Sequence, residues 1–158
     1  MSLNPVNNIV VAGLGGQGVL KASDIIAEVA FRAGLDVKKS EVHGMSQRGG
    51  SVASDVRFGQ CVRSPMVPEG EADFLVVLDS TQIEVNRAVL KSGGVVIDPT
   101  VLAGRKLRSE KCMNVALMGA LSRHFEFSEQ AWLDAVLAHL APKLHESNIA
   151  AFHTGRNA

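Results

Sequence analysis

The chain has 158 residues, no formal net charge and 46% hydrophobic residues. That composition excludes a disordered chain and lacks the basic stripe of a nucleic-acid binder. No apolar run reaches the ~18 residues that span a bilayer, so no membrane partner is expected.

One domain over residues 1–158 is expected. At about this size a chain hides roughly two-thirds of its unfolded surface and needs no staples. Residues 1–8, "MSLNPVNN", read as a flexible extension without signal-peptide features, which makes the cytoplasm the expected location. Ile9 to Ala12 form a short apolar run that reads as a buried strand. The turn "GLGGQG" follows, then a helix from Val19 to Ala33 with Val19, Ala22, Ile26, Val29 and Ala33 on one face. Glu28 and Arg32 make a favourable i,i+4 pair, and Gly34 closes the helix. Leu35 to Ser40 is a second strand. The polar stretch "SEVHGMSQRGGS" leads to an alternating strand from Ser51 to Phe58. Gly59-Gln60 predicts a two-residue turn that folds Cys61 to Arg63 back antiparallel.

Phe74 to Leu78 is a central strand. Asp79-Ser80-Thr81 starts a helix, with Thr81 and Glu84 spaced as a capping box and Gly93-Gly94 as its end. Val95 to Ile97 is another buried strand. Residues 100–110 are irregular and basic. Helices are predicted over Asn114–Phe125 and Ser128–Leu140, with Ser128 as an N-cap. The tail "NIAAFHTGRNA" shows no strong pattern. Strands alternating with helices imply an α/β fold, a Rossmann-like three-layer domain with a mostly parallel sheet and an inserted antiparallel hairpin.

Two cysteines, Cys61 and Cys112, are too few for an iron–sulfur cluster or a structural zinc, and both read as small hydrophobes. The chemistry therefore falls on the glycine loops. Gly13, Gly15 and Gly18 fit G-x-G-x-x-G between a strand and a helix, with Gly16 as an extra. Such a turn lets backbone approach a phosphate at a helix N-terminus. Glu41 lies near the position of a ribose-binding acid, so an NAD-type dinucleotide is one reading. Tight strand–helix packing alone is another. The second loop leaves the carboxyl end of the second strand, and in a doubly wound sheet it meets the first on one rim. Gln17, His43, Gln47 and Arg48 then flank a bed of backbone N–H groups suited to an anion or a polar partner. A phosphate contact from the cluster Arg105, Lys106, Arg108 and Lys111 is weighed against a solvated loop.

The paired motifs, Gly13-x-Gly15-Gly16-Gln17-Gly18 and His43-Gly44-Met45-Ser46-Gln47-Arg48-Gly49-Gly50, carry a resemblance. With "EADFLVVLD", "GGVVIDPT", "NVALMGAL" and "NIAAFHTG" they make nearly the whole chain similar to the gamma subunit or domain of 2-oxoacid:ferredoxin oxidoreductases. The likeness is nearest to the small beta subunit of the indolepyruvate enzymes. The resemblance implies a complex that oxidatively decarboxylates a 2-oxoacid to an acyl-CoA. It implies thiamine diphosphate with magnesium and 4Fe–4S clusters, mostly on larger partner subunits, and ferredoxin as electron acceptor. It implies a subunit without clusters, catalytic residues or metal ligands of its own, inactive alone, that docks on those partners and touches coenzyme A. Gly13, Gly15, Gly16, Gln17, Gly18, His43, Gln47, Arg48, Gly49 and Gly50 are the expected contact residues. The resemblance implies that Arg48 offers its charge to a coenzyme A phosphate or to a partner carboxylate. A covered apolar face is expected too, on the helix after "GLGGQG" or on "SPMVPEG", through which the isolated chain self-associates. An autonomous NAD-type dehydrogenase and a regulatory nucleotide-binding module stay as alternatives.

Overall fold

The computed structural model describes residues 5–43 and 49–158. Five strands form one mixed sheet in the order β2-β3-β1-β4-β5. They are β1 (Val6–Leu14), β2 (Asp36–His43), β3 (Ser51–Gly59), β4 (Ala72–Val77) and β5 (Leu90–Ile97). β1 pairs parallel with β4, and β4 parallel with β5. β3 runs antiparallel to both of its neighbours, β1 and β2. Half of the strand pairings are thus antiparallel, which corrects the expectation of a mostly parallel sheet.

The antiparallel element is β3 itself, wedged between β2 and β1. The predicted return strand over Cys61 to Arg63 does not form. Both edges of β3 are already paired, so no ladder is open to it. Instead the Val62 N–H donates to Asp36 Oδ2 at 2.8 Å, and Val67 N–H donates to Asp55 Oδ2 at 2.9 Å.

Four helices cover one face: α1 (Val19–Arg32), α3 (Met113–Ser122), α4 (Glu129–Ala138) and α5 (His145–Arg156). Their apolar sides close over Ile9, Val11, Val56, Phe58, Val76 and Ile97. Trp132 and Phe152 are fully buried in that layer. α1 follows its periodicity, with Val19, Ala22, Ile26 and Val29 buried, although Ala33 is exposed. Glu28 and Arg32 approach to 3.7 Å, and Gly34 takes the left-handed conformation that ends the helix. Ser128 caps α4, its Oγ accepting from the Ala131 N–H at 3.1 Å.

The second face is covered more thinly, so the third layer is slight. Val10, Ala12, Leu75 and Val77 pack against Val67, Ile83 and Val89. The helix expected after β4 is a broken run of short turns, with α2 (Ile83–Asn86) as its one α-helical piece. Its cap is Asp79 in place of Thr81, since Asp79 Oδ1 accepts from both the Thr81 N–H and hydroxyl, at 3.0 and 2.6 Å. Gly93 and Gly94 do not end this run but lie inside β5, beside a register shift against β4. Residues 6–8 of the expected extension belong to β1. Among the described residues no helix is long and apolar enough to cross a membrane.

Candidate functional site

The carboxyl ends of β1, β4 and β5 share one edge because these strands are parallel. β2 runs parallel to β1 through the intervening antiparallel β3, so its end reaches the same rim. The two glycine loops therefore meet, although their strands are not neighbours. The Gly15 N–H donates to the Gly50 carbonyl at 2.9 Å. A Cβ on Gly15 would stand 3.3 Å from the Gly49 nitrogen. Gly49 itself holds φ 63°, a left-handed conformation.

The first loop is fixed from inside by Gln17. Its Oε1 accepts from the Leu14 N–H at 2.7 Å, and its Nε2 donates to Asp79 Oδ2 at 3.0 Å. Gly13 makes room for this fold-back, because a Cβ there would lie 2.9 Å from Gln17 Oε1 and from Val19 Cγ2. Gln17 was expected to present its amide to a ligand. Its amide bonds the Leu14 N–H and Asp79 and so positions the loop, while Gln17 also lines the larger of the two clefts at the rim.

Gly18, at φ 85°, is the N-cap of α1. A Cβ there would sit 2.4 Å from Asn114 Nδ2, which donates to the Gly18 carbonyl at 3.3 Å. α1 has no side-chain cap and no acid in its first turn. Its N-terminus presents backbone N–H groups and the positive end of the helix dipole to the rim. Gly16, also left-handed, has open space where a Cβ would be.

Two clefts flank this turn. One, of about 440 Å³, is lined by Gly16, Gln17, Gly18 and Leu78 and by Glu110, Lys111, Met113 and Asn114. The second, of about 290 Å³, is lined by Gly15, Gly16, Val19, Lys21, His43 and Val52 among others. His43, at the end of β2, is largely exposed and lies 4.0 Å from Glu41 Oε2. Gln47 and Arg48 lie outside the described residues, as do Gly44, Met45 and Ser46.

Of the basic loop residues, Lys111 lines the larger cleft. Arg105 donates to the Asn157 carbonyl at 2.7 Å, and Arg108 pairs with Glu146 at 3.1 Å. Asn114 and Asp79 were not singled out from sequence. A polar residue opening the apolar run "NVALMGAL" was the available signal for Asn114. The hydrogen bonds from the Thr81 hydroxyl and N–H, and then from Gln17, hold the Asp79 carboxyl below its usual range.

The dinucleotide reading asks for an acid at the end of the strand beside the glycine turn. Glu41 is on β2, with β3 between it and β1, and its carboxylate contacts Lys39 at 3.5 Å. Nor does the donor set suit a cluster. Cys61 is exposed and Cys112 is buried, and among the described residues no group of three or more His, Cys, Asp or Glu side chains can hold a metal ion. What the rim offers is a helix N-terminus without a side-chain cap, glycine backbone and two lysines, Lys111 and Lys21, with Glu110 beside the first. That set fits the charged end of a phosphorylated ligand.

A family model for pyruvate ferredoxin/flavodoxin oxidoreductases matches residues 8–101. The indolepyruvate oxidoreductase subunit IorB of Thermococcus kodakarensis is 36% identical over 193 aligned positions, covering 96% of this chain and 95% of that protein. Subunit IorB of Archaeoglobus fulgidus is 47% identical over 104 positions, which span 61% of this chain and 51% of that protein, about half its length. Among solved structures, the gamma subunit of a keto/oxoacid ferredoxin oxidoreductase from Geobacter sulfurreducens superposes with a TM-score of 0.77. It is 26% identical and covers 96% of both chains.

Proposed function

Since the chain belongs to the pyruvate ferredoxin/flavodoxin oxidoreductase family and is the small subunit of a 2-oxoacid:ferredoxin oxidoreductase, we propose that its glycine rim docks on the larger catalytic subunit and cradles the phosphates of coenzyme A. The observation that carries this reading is the Gly15 to Gly50 hydrogen bond of 2.9 Å, which joins both loops into one surface.

In the complex, thiamine diphosphate with magnesium, held by a partner, would supply the chemistry that decarboxylates and oxidises the 2-oxoacid. The 4Fe–4S clusters of that partner would carry the electrons to ferredoxin. Coenzyme A, when bound, supplies the thiol that takes the acyl group. The names of the relatives favour indolepyruvate or another aryl pyruvate as the 2-oxoacid. Residues 1–158 act as one gamma-type domain, in the cytoplasm, and without partners the chain turns over no 2-oxoacid.

This chain contributes binding and orientation. The N-terminus of α1, with Gly16 and Gly18, receives phosphate oxygens on backbone N–H groups. Lys111 supplies a cation from the lining of the larger cleft. Gln17 and Gly13 hold the loop in shape. A role for Gln47 and Arg48 at the same surface rests on the sequence motif alone.

Kinetics of the reconstituted complex test the reading. Lys111→Glu raises the KM for coenzyme A about tenfold, the loss of one charge-assisted contact, and leaves the KM for the 2-oxoacid unchanged. Unchanged coenzyme A kinetics in a correctly assembled complex overturn the cradle. Assembly unaffected by a bulky Gly15→Trp change overturns the docking edge.

A further inference from the structure

We propose that the open edge of β2 is a self-complementary contact through which two copies of this chain pair antiparallel about Ser40. β2 is an outer strand of the sheet, so among the described residues one side of its backbone has no ladder partner. Such an edge attracts another strand unless it is covered.

The faces are set by the register with β3. Val37, Lys39, Glu41 and His43 stand opposite Phe58, Val56, Ser54 and Val52, on the side of the sheet that carries the long helices. A two-fold axis normal to the sheet keeps each face on its own side. It must pass through a residue that then faces itself. Centred on Lys39, the pairing sets lysine against lysine, and centred on Glu41 it sets glutamate against glutamate. Centred on Ser40, it sets Lys39 of each copy opposite Glu41 of the other. Opposite charges directly across a pair stabilise it and like charges oppose it.

Within one copy Lys39 already touches Asp24 of α1 and lies 3.5 Å from Glu41. Pairing doubles this network about the axis. The zero net charge of the chain adds no long-range repulsion.

The helices agree with the strand. α1 lies across β2 and β3 on that same face. With strands about 4.8 Å apart and α1 centred over β3, the two copies of α1 stand roughly 14 Å apart, so only long side chains on their facing edges reach across. The surface they bring together holds Phe31, 69% exposed and the most exposed large hydrophobic side chain among the described residues. It borders a cleft of about 420 Å³ lined also by Ala27 and Val37 and by the polar Asp24, Glu28, Lys39 and His139. A second copy covers this strip and sets its Val37 opposite His43 at the end of β2.

The test uses the full chain in a Cys61→Ser background, because Cys61 is exposed. Ser40→Cys faces its own copy at a Cα separation of about 4.5–5.5 Å, within disulfide reach. Mild oxidation is expected to give a covalent dimer on a non-reducing gel. Val42→Cys faces Lys38 and lies roughly 13 Å from its copy at about 3.3 Å per residue, so it is expected to stay uncrosslinked. In sedimentation equilibrium, Glu41→Lys lowers the dimer fraction at least tenfold, and adding Lys39→Glu restores it. Circular dichroism establishes that each variant is folded. A wild-type chain that is monomeric up to its solubility limit overturns the proposal. Equal crosslinking at residues 40 and 42, or a folded double variant that fails to recover, does the same.

Discussion

Gln17 Nε2 donates to Asp79 Oδ2 at 3.0 Å, which ties the glycine turn after β1 to the first residues beyond β4. The two side chains lie 62 positions apart in sequence. Their bond fixes the rim across the parallel part of the sheet. With the Leu14 N–H on its other end, the Gln17 amide is a strut between two strand ends.

Gln17→Ala removes both hydrogen bonds and leaves the Leu14 N–H and Asp79 short of partners. The cost is about 1–3 kcal/mol, read as a lower midpoint in urea unfolding with an unchanged slope. Gln17→Glu is worse at neutral pH than in acid, because it sets a second carboxylate against Asp79. A Gln17→Ala midpoint equal to the wild type would show that the strut carries no load.

Asp79 is also the source of an acid dependence. Its carboxyl is held low first by the Thr81 hydroxyl and N–H and then by Gln17. The folded pKa lies below the unfolded value of about 3.9. Its stabilising contribution is therefore complete above about pH 4 and is lost as the pH falls through the lower folded value. Asp79→Asn flattens the acid limb of the stability profile below that pH. Carbon-detected NMR of the wild type is expected to find the Asp79 carboxyl titrating below an ordinary aspartate.

The closest helix contact in the layer over the sheet is between α3 and α5. A Cβ on Gly155 would lie 1.7 Å from the Ala116 carbonyl oxygen, and one on Gly119 would lie 2.1 Å from the Phe152 carbonyl oxygen. Two backbones touch here because both helices present glycine. Gly155→Ala forces them apart and costs about 3 kcal/mol. Thermal unfolding checks this, and a loss below 1 kcal/mol would mean that α5 shifts freely.

That contact also marks where the sequence was hardest to read. Continuous apolar runs announced β1 and β4, because a buried strand has little other chemistry, and the spacing of Val19, Ala22, Ile26 and Val29 announced α1. The tail showed no period, yet it is the buried helix α5, with Ala151, Phe152 and Gly155 inside. Its burial comes from small residues meeting α3, and that fit depends on the partner helix. The place of β3 was equally hidden. Alternation marked it as a strand, but only pairing shows that both of its edges are filled. At the rim, the meeting of the two loops was legible from their glycines and from the parallel course of β1 and β2. The inward turn of Gln17 was not, since it depends on Asp79, far along the chain. Lys111 was legible only as one of four basic residues, and Asn114 only as a polar residue in an apolar run.

Asp55 supplies the last test, of the thinly covered face. It stands on β3 opposite Val10, and its Oδ2 accepts from the Val67 N–H at 2.9 Å. Burial pushes its carboxyl pKa up, more than that hydrogen bond and the nearby Arg57 charge pull it down. A raised folded pKa means that the native state holds the proton more tightly than the unfolded chain. The cost of the buried charge thus appears as the pH rises through about 3.9 and is complete above the folded value. Asp55→Asn keeps an oxygen for the Val67 N–H and removes the charge. The variant is expected to melt above the wild type at pH 7 and to lose that advantage below about pH 4. A variant that melts lower at pH 7 would show that the charge itself holds the segment from Ser64 to Val67 against the sheet.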